Sequence, residues 1–134
     1  MAEVTLTSLA SASIATTTKQ VTFGETISEA EAVYRKASDG KYYVAHCETS
    51  QATAEVEGFA TSGYSADDVG HIVTDGLANT NAGLAADTAY YLGTAGTIQL
   101  ESDLASSDWI TFIGMSDSTS TLDVSIKTFQ RQKA

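Results

Sequence analysis

Turn residues interrupt short runs of β-branched and aromatic residues along most of this chain, and this pattern constrains its fold more than any other feature. Asp39-Gly40 separates "VYRK" from "KYYV", Asp75-Gly76 ends "VGHIVTDG", and two glycines divide "TAYYLGTAGTIQL". Asp-Gly between such runs is among the strongest short-range signals for a β-hairpin. Several short strands at regular spacing are typical of an all-β sandwich or barrel. We therefore predict an all-β fold, a compact β-barrel or β-sandwich of short antiparallel strands.

Further strands are predicted at 54–61, 109–115 and 120–129, and a short strand through Val21 and Phe23. The segment 27–37 fits either helical spacing or the first strand of a hairpin, and the following Asp-Gly favours a strand near Val33. The runs that contain Gly58 and Gly114 are similar, as are the doubled tyrosines 42–43 and 90–91. They suit a barrel of two related halves.

Residues 5–18, "TLTSLASASIATTT", are almost wholly Thr, Ser and Ala. Such a segment buries little apolar area to offset the entropy lost on ordering. We expect residues 1–20 to form a flexible N-terminal arm and residues 21–134 a single β domain. The arm is either a tail without a role or a segment that orders against a neighbouring subunit.

The charge distribution is strongly uneven. The chain carries seven basic and seventeen acidic residues, and no Lys or Arg lies between Tyr42 and Ile126, where twelve acidic residues occur. Nucleic-acid affinity comes largely from Lys and Arg that displace counterions from phosphates. We therefore expect no nucleic-acid partner, and any acidic partner must meet the basic residues near the two ends.

Other features bear on the cellular environment. A single cysteine, Cys47, excludes an internal disulfide. The first residues lack the basic start and apolar stretch of a secretory signal, and no apolar run approaches the roughly 20 residues of a membrane helix. We expect a soluble protein made in the cytoplasm, with no membrane partner.

Sequence signals for catalysis or cofactors are weak. "GYSAD" lacks the second glycine of a nucleophile elbow, and "GTAG" lacks the lysine of a phosphate loop. His46 and Cys47 are neighbours on an expected strand, so they point to opposite faces. A zinc site needs about four ligands, and His71 is the only other histidine. We predict no catalytic residues, no metal and no cofactor.

Acidic pairs offer one route to chemistry. Asp67 with Asp68, or Glu55 with Glu57, would serve a glycosidase if a cleft held the carboxyl groups about 5 to 9 Å apart. Solvated loops and an exposed sheet face explain the same residues more simply. In the tyrosine pairs one side chain is expected to fill the core while the other reaches a rim, although an aromatic sugar-binding platform stays open.

The order of several fragments resembles that of capsid decoration (cement) proteins, small β-rich virion proteins of tailed bacteriophages. The fragments are "FGETISEAEAVYRKASDGKYYVAH", "VEGFATSG", "VGHIVTDGLA", "GLAADTAYYLGTAGTIQL" and "FIGMSDSTSTLDVSI", and they run from about Val21 to Ile126. One departure is that "SEAEAVYR", with Glu29 and Glu31, stands where a glycine is expected before the strand.

This resemblance implies a non-enzymatic virion protein that binds the outer surface of an assembled capsid, as an oligomer and often as a trimer, and stabilises the shell. Its partners would be the major capsid protein and further copies of the same chain. Six residues are candidate contacts to the capsid or between subunits: Leu6, Leu9, Ile14, Phe23, Arg131 and Lys133.

Two alternatives stay open. The chain could be a carbohydrate-binding or receptor-binding module of a phage head or tail fibre that uses its tyrosines or Trp109. It could also be a small hydrolase that uses the acidic pairs.

Overall fold

A computed structural model describes residues 15–80 and 84–134. These residues form nine strands and two single turns of 3-10 helix, Ala52–Ala54 and Glu101–Asp103. The strands are β1 Ala15–Thr22, β2 Ala32–Arg35, β3 Tyr42–Val44, β4 Val56–Ala60, β5 Val69–Asn79, β6 Ala89–Leu92, β7 Ile98–Gln99, β8 Trp109–Ser116 and β9 Thr121–Gln132. They curl into an antiparallel half-barrel, which confirms the predicted all-β class.

The strand order is β3-β2-β4-β5-β9-β8-β6-β7, and β1 pairs with β5 outside this path. The hairpin around Asp39-Gly40 is confirmed, since Val33 pairs with Val44 across β2 and β3. The segment 27–37 thus contains a strand rather than a helix.

The predicted end of a strand at Asp75-Gly76 is wrong. β5 continues through Gly76, which adopts a φ of 104°, to Asn79. Asp75 and Gly76 pair with Ser125 and Val124 of β9. Because the neighbouring strand satisfies the backbone groups here, tertiary pairing overrides the local turn signal.

The predicted boundary of the arm also changes. Residues 15–20 belong to β1, which pairs with β5 from Ala15 opposite Leu77 to Thr22 opposite Val69. The rest of the predicted arm, residues 1–14, lies outside the described residues.

Two halves of the sheet repeat the same pattern. Strands β2 to β5 form the order β3-β2-β4-β5, and β6 to β9 form its counterpart β7-β6-β8-β9. The pairing matches residue by residue, with a register shift at the same place in each half. The matched pairs are Ala32–Phe59 with Ala89–Met115, Val33–Gly58 with Tyr90–Gly114, and Tyr34–Val56 with Tyr91–Phe112.

The repeat confirms that Gly58 and Gly114 are equivalent, but it corrects the match of the tyrosine pairs. Tyr90 corresponds to Val33 in β2, whereas Tyr42 lies in β3. The hydrophobic alternation of a short strand does not distinguish these two alignments.

A tight turn enters each repeat. Ala30 and Asp87 both adopt the left-handed backbone region, with φ of 70° and 54°. The N–H of Ala30 donates to the carbonyl of Ala60, and that of Asp87 donates to the carbonyl of Ser116. Ala30 thus adopts, two residues before "AVYR", a backbone conformation that glycine adopts most readily.

The core has two parts. A larger cluster joins both repeats and includes Phe59, Val73, Leu92, Ile113 and Leu122. A smaller cluster packs Phe23 and Ile27, which precede the first repeat, with Val33, Tyr42 and Ile72 of that repeat.

Candidate docking surfaces

The first candidate surface is a groove beside β1, here called the β1 groove. It is lined by Lys19, Gln20, Val21, Thr22, Arg35, Gly40, Tyr42 and Val69, and its volume is about 380 Å³. Val69 is 58% exposed, the largest fraction among the large hydrophobic residues that the structure describes. Within residues 15–80 and 84–134, β1 pairs with β5 alone. Its other edge pairs with no further strand of these residues, and directly after β1 Phe23 forms a parallel bridge with Tyr42 of β3.

Charged groups fix one wall of the β1 groove. Lys19 Nζ donates to Tyr42 Oη at 3.1 Å and to Glu57 Oε1 at 3.1 Å, and Tyr42 Oη donates to the same carboxylate oxygen at 2.7 Å. The hydrogen bonds to Tyr42 and Glu57 raise the pKa of Lys19. Burial alone would raise the pKa of Glu57, but the hydrogen bonds from Tyr42 and Lys19 lower it. The wall thus carries a fixed ion pair, while Arg35 is exposed.

The second candidate surface is an open sheet face in the second repeat, here called the acidic face. In the first repeat Ala32, Phe59 and Val73 share one sheet face and are buried in the core that joins the repeats. Their equivalents are Ala89, Met115 and Asp123.

That equivalent face is open to solvent. Met115 is 44% exposed, and a groove of about 510 Å³ lies around it. The groove is lined by Gly76, Leu77, Asp87, Met115, Ser116, Asp117 and Asp123. The second repeat thus presents one exposed apolar side chain among three carboxylates, where the first repeat has a covered apolar layer.

The third candidate surface is the end of β9, residues 127–132, here called the β9 tail. Ile126 still packs against the larger core, whereas every residue of the tail is exposed. The tail pairs with the start of β8, with Lys127 opposite Phe112 and Gln132 opposite Trp109. Phe129 is 48% exposed, and the exposed residues Lys127 and Arg131 flank it two positions away in the sequence.

The residues predicted as contacts fall in different places. Arg131 lies exposed on the β9 tail, whereas the ammonium of Lys133 donates to the carbonyls of Glu101 and Leu104. Phe23 does not fit a contact role, because it is fully buried and stacks on Tyr64 at 4.6 Å between ring centroids. In the sequence, Val21 and Phe23 fall on one face of a strand, and this pattern does not distinguish a core residue from a contact residue. Leu6, Leu9 and Ile14 lie outside the described residues.

The acidic pairs each have structural partners. Glu57 joins Lys19 and Tyr42, and Asp67 pairs with Lys41 Nζ at 2.7 Å. Asp68 accepts the N–H of Ser65 at 2.8 Å. These carboxylates hold loops and strands together.

His46 and Cys47 lie just beyond β3. His46 Nδ1 accepts the N–H of Ala95 at 3.2 Å, and Cys47 is fully buried and forms no disulfide. Within the described ranges no group of three or more His, Cys, Asp and Glu side chains is arranged to hold a metal ion.

The tyrosine pairs follow the predicted division. Tyr42 and Tyr90 are buried, and Tyr90 Oη accepts the N–H of Ala85. Tyr43 lies nearer the rim, where its hydroxyl donates to Asp39 Oδ2 at 2.6 Å and this bond raises its pKa to about 12. Asp39 accepts the hydrogen bond from the hydroxyl of Tyr43, and the ammonium of Lys36 lies over the ring. The ring is therefore not presented as an open sugar-binding platform.

The acidic face and the β1 groove had no strong signal in the sequence. The lining of the acidic face comes from separate segments of the chain: β5, β8 and β9 meet through strand pairing, and Asp87 is held beside β8 by its N–H, which donates to the carbonyl of Ser116. The one hint of the acidic face in the sequence was that Met115 follows Gly114 where Phe59 follows Gly58 in the first half.

Among the described residues no helix has the length and apolar character needed to cross a membrane. The chain matches no protein-family model and no curated protein.

Proposed function

We propose that this protein is a capsid decoration protein of a tailed bacteriophage, which binds the outer surface of the assembled shell as an oligomer, with a trimer as the expected assembly. It acts without catalysis, and its partners are the major capsid protein and further copies of itself. The ordered fragments from Val21 to Ile126 support this proposal, and the all-β fold agrees with it.

The β1 groove is the observation that carries the capsid contact. An edge strand offers backbone N–H and C=O groups to an added strand, and pockets beside it accept side chains. Val69 supplies exposed apolar area and Arg35 an unburied positive charge on a chain of formal net charge -10. Residues 1–14, the rest of the predicted arm, precede β1 directly in the sequence. Many weak contacts on one shell then add through multivalency.

Arg35 and Lys36 provide a matched pair of substitutions. Arg35 lines the β1 groove, whereas the adjacent Lys36 lies over the ring of Tyr43, 5.0 Å from its centroid. Arg35→Glu should weaken co-sedimentation of the protein with purified phage capsids, and Lys36→Glu should leave it near the wild-type value. Equal binding by all three proteins would exclude the β1 groove as the contact. If the wild-type protein fails to bind any capsid of its phage, the proposed function itself is wrong.

A further inference from the structure

The acidic face and the β9 tail are complementary in chemistry. The acidic face surrounds one exposed methionine with Asp87, Asp117 and Asp123. The β9 tail exposes Phe129, which is flanked in the sequence by the exposed residues Lys127 and Arg131. Apart from Val69 in the β1 groove, Met115 and Phe129 are the large hydrophobic residues that the described chain leaves exposed.

The two surfaces cannot meet within one chain. Both lie on the β8–β9 ribbon, where Met115 pairs with Asp123 and Lys127 pairs with Phe112. At about 3.3 Å per residue, Phe129 lies roughly 20 Å along the strand from Asp123. Backbone pairing keeps the ribbon extended, so the tail does not reach the acidic face of its own chain.

The internal repeat shows how this face is covered elsewhere. In the first repeat the equivalent face, with Phe59 and Val73, is buried in the core cluster that also contains Ile113 and Leu92 of the second repeat. No third repeat follows in the described chain to cover the same face of the second repeat.

We propose that the β9 tail of one copy docks on the acidic face of a second copy. This inference rests on the proposed function, for which it supplies the contact between subunits, and it leaves the β1 groove free for the shell. The contact is heterologous, so it builds a closed ring, as a trimer requires, where the rotation between copies closes, and an open filament where it does not.

The chemistry of the contact follows from the exposed groups. The thioether of Met115 is a favourable neighbour for the ring of Phe129. Lys127 and Arg131 face carboxylates that have no basic residue among the lining residues of their groove. Opposite charges of this kind guide association and select the partner, and salt weakens them.

Charge reversal with rescue tests the contact. One variant carries Lys127→Glu and Arg131→Glu, and a second carries Asp117→Lys and Asp123→Lys. Sedimentation velocity of the full chain in low-salt buffer, up to millimolar concentration, measures the assembly. We expect the wild-type protein to associate, each double variant to sediment as a monomer, and the fourfold variant, which carries all four reversals, to regain assembly. The variant Arg35→Glu/Lys36→Glu should assemble like the wild type.

The outcomes separate the two proposals. A wild-type protein that stays monomeric throughout, or an assembly that both reversals leave intact, overturns the contact. Loss of assembly without rescue also overturns it, provided that circular dichroism shows each variant folded. Capsid co-sedimentation of the charge-reversal variants tests the proposed function by itself, since Lys127, Arg131, Asp117 and Asp123 do not line the β1 groove.

Discussion

Replacing Gly114 with alanine should cost about 3 kcal/mol of folding stability. A Cβ at this position would lie closer than 3.0 Å to the carbonyl oxygen of Asp123, on the neighbouring strand β9. The obstacle is backbone, so no side-chain rotation relieves it and the two strands must separate. Overpacking of this kind costs about 1 to 3 kcal/mol, and each ladder hydrogen bond that lengthens costs about 1 kcal/mol more.

The repeat predicts the same result for Gly58, whose added Cβ would meet the carbonyl oxygen of Val73. Gly63 is the control, because the nearest atom to its added Cβ is the carbonyl oxygen of Ile27 at 3.7 Å. There alanine should be neutral or should stabilise by about 0.5 kcal/mol, through the lower entropy of the unfolded chain.

Urea unfolding followed by circular dichroism measures these differences in the free energy of unfolding. In a thermal melt, the midpoint temperatures of Gly114→Ala and Gly58→Ala should fall by about 10 °C. If either variant stays within about 0.5 kcal/mol of the wild type, or if Gly63→Ala costs as much, the close approach of the paired strands is not as described.

Two further predictions concern local interactions. Glu57→Gln should cost about 1 kcal/mol near neutral pH, since its hydrogen bonds involve a half-exposed charge. The pKa of Glu57 is lower in the folded chain than in the unfolded chain. The ionised carboxylate therefore stabilises the fold above the unfolded-state pKa, and this stabilisation is lost as the pH falls through the folded-state pKa. Glu57→Gln should accordingly lose less stability in acid than the wild type, and an unchanged pH profile would contradict this. Ala95→Asn should raise stability by about 0.5 to 1 kcal/mol, because Ala95 and Gly96, with φ of 49° and 77°, form the two-residue turn that favours Asn-Gly. A lower midpoint temperature in a thermal melt would refute that reading.

The sequence predicts the strands best where its local signals agree with tertiary pairing. The Asp39-Gly40 hairpin was predictable because its two strands are adjacent in sequence and pair directly. At Asp75-Gly76 the same dipeptide misled, since β9 and β1 pair through it and hold β5 extended.

The candidate surfaces were less predictable, because burial depends on partners that are distant in the chain. Phe23 and Phe129 both lie in or beside segments in which apolar and polar residues alternate. Phe23 is nevertheless fully buried, whereas Phe129 is 48% exposed. Phe23 is covered by Tyr64, whereas β9 runs beyond the core at Ile126. Neither fact can be read from spacing along a strand.

Cryo-electron microscopy of purified capsids, with and without the added protein, tests the account most directly. We predict added density on the outer surface of the shell at symmetric positions, with the β1 groove toward the capsid and neighbouring copies in contact through the β9 tail. Capsids that look the same with and without a saturating amount of folded protein would contradict it.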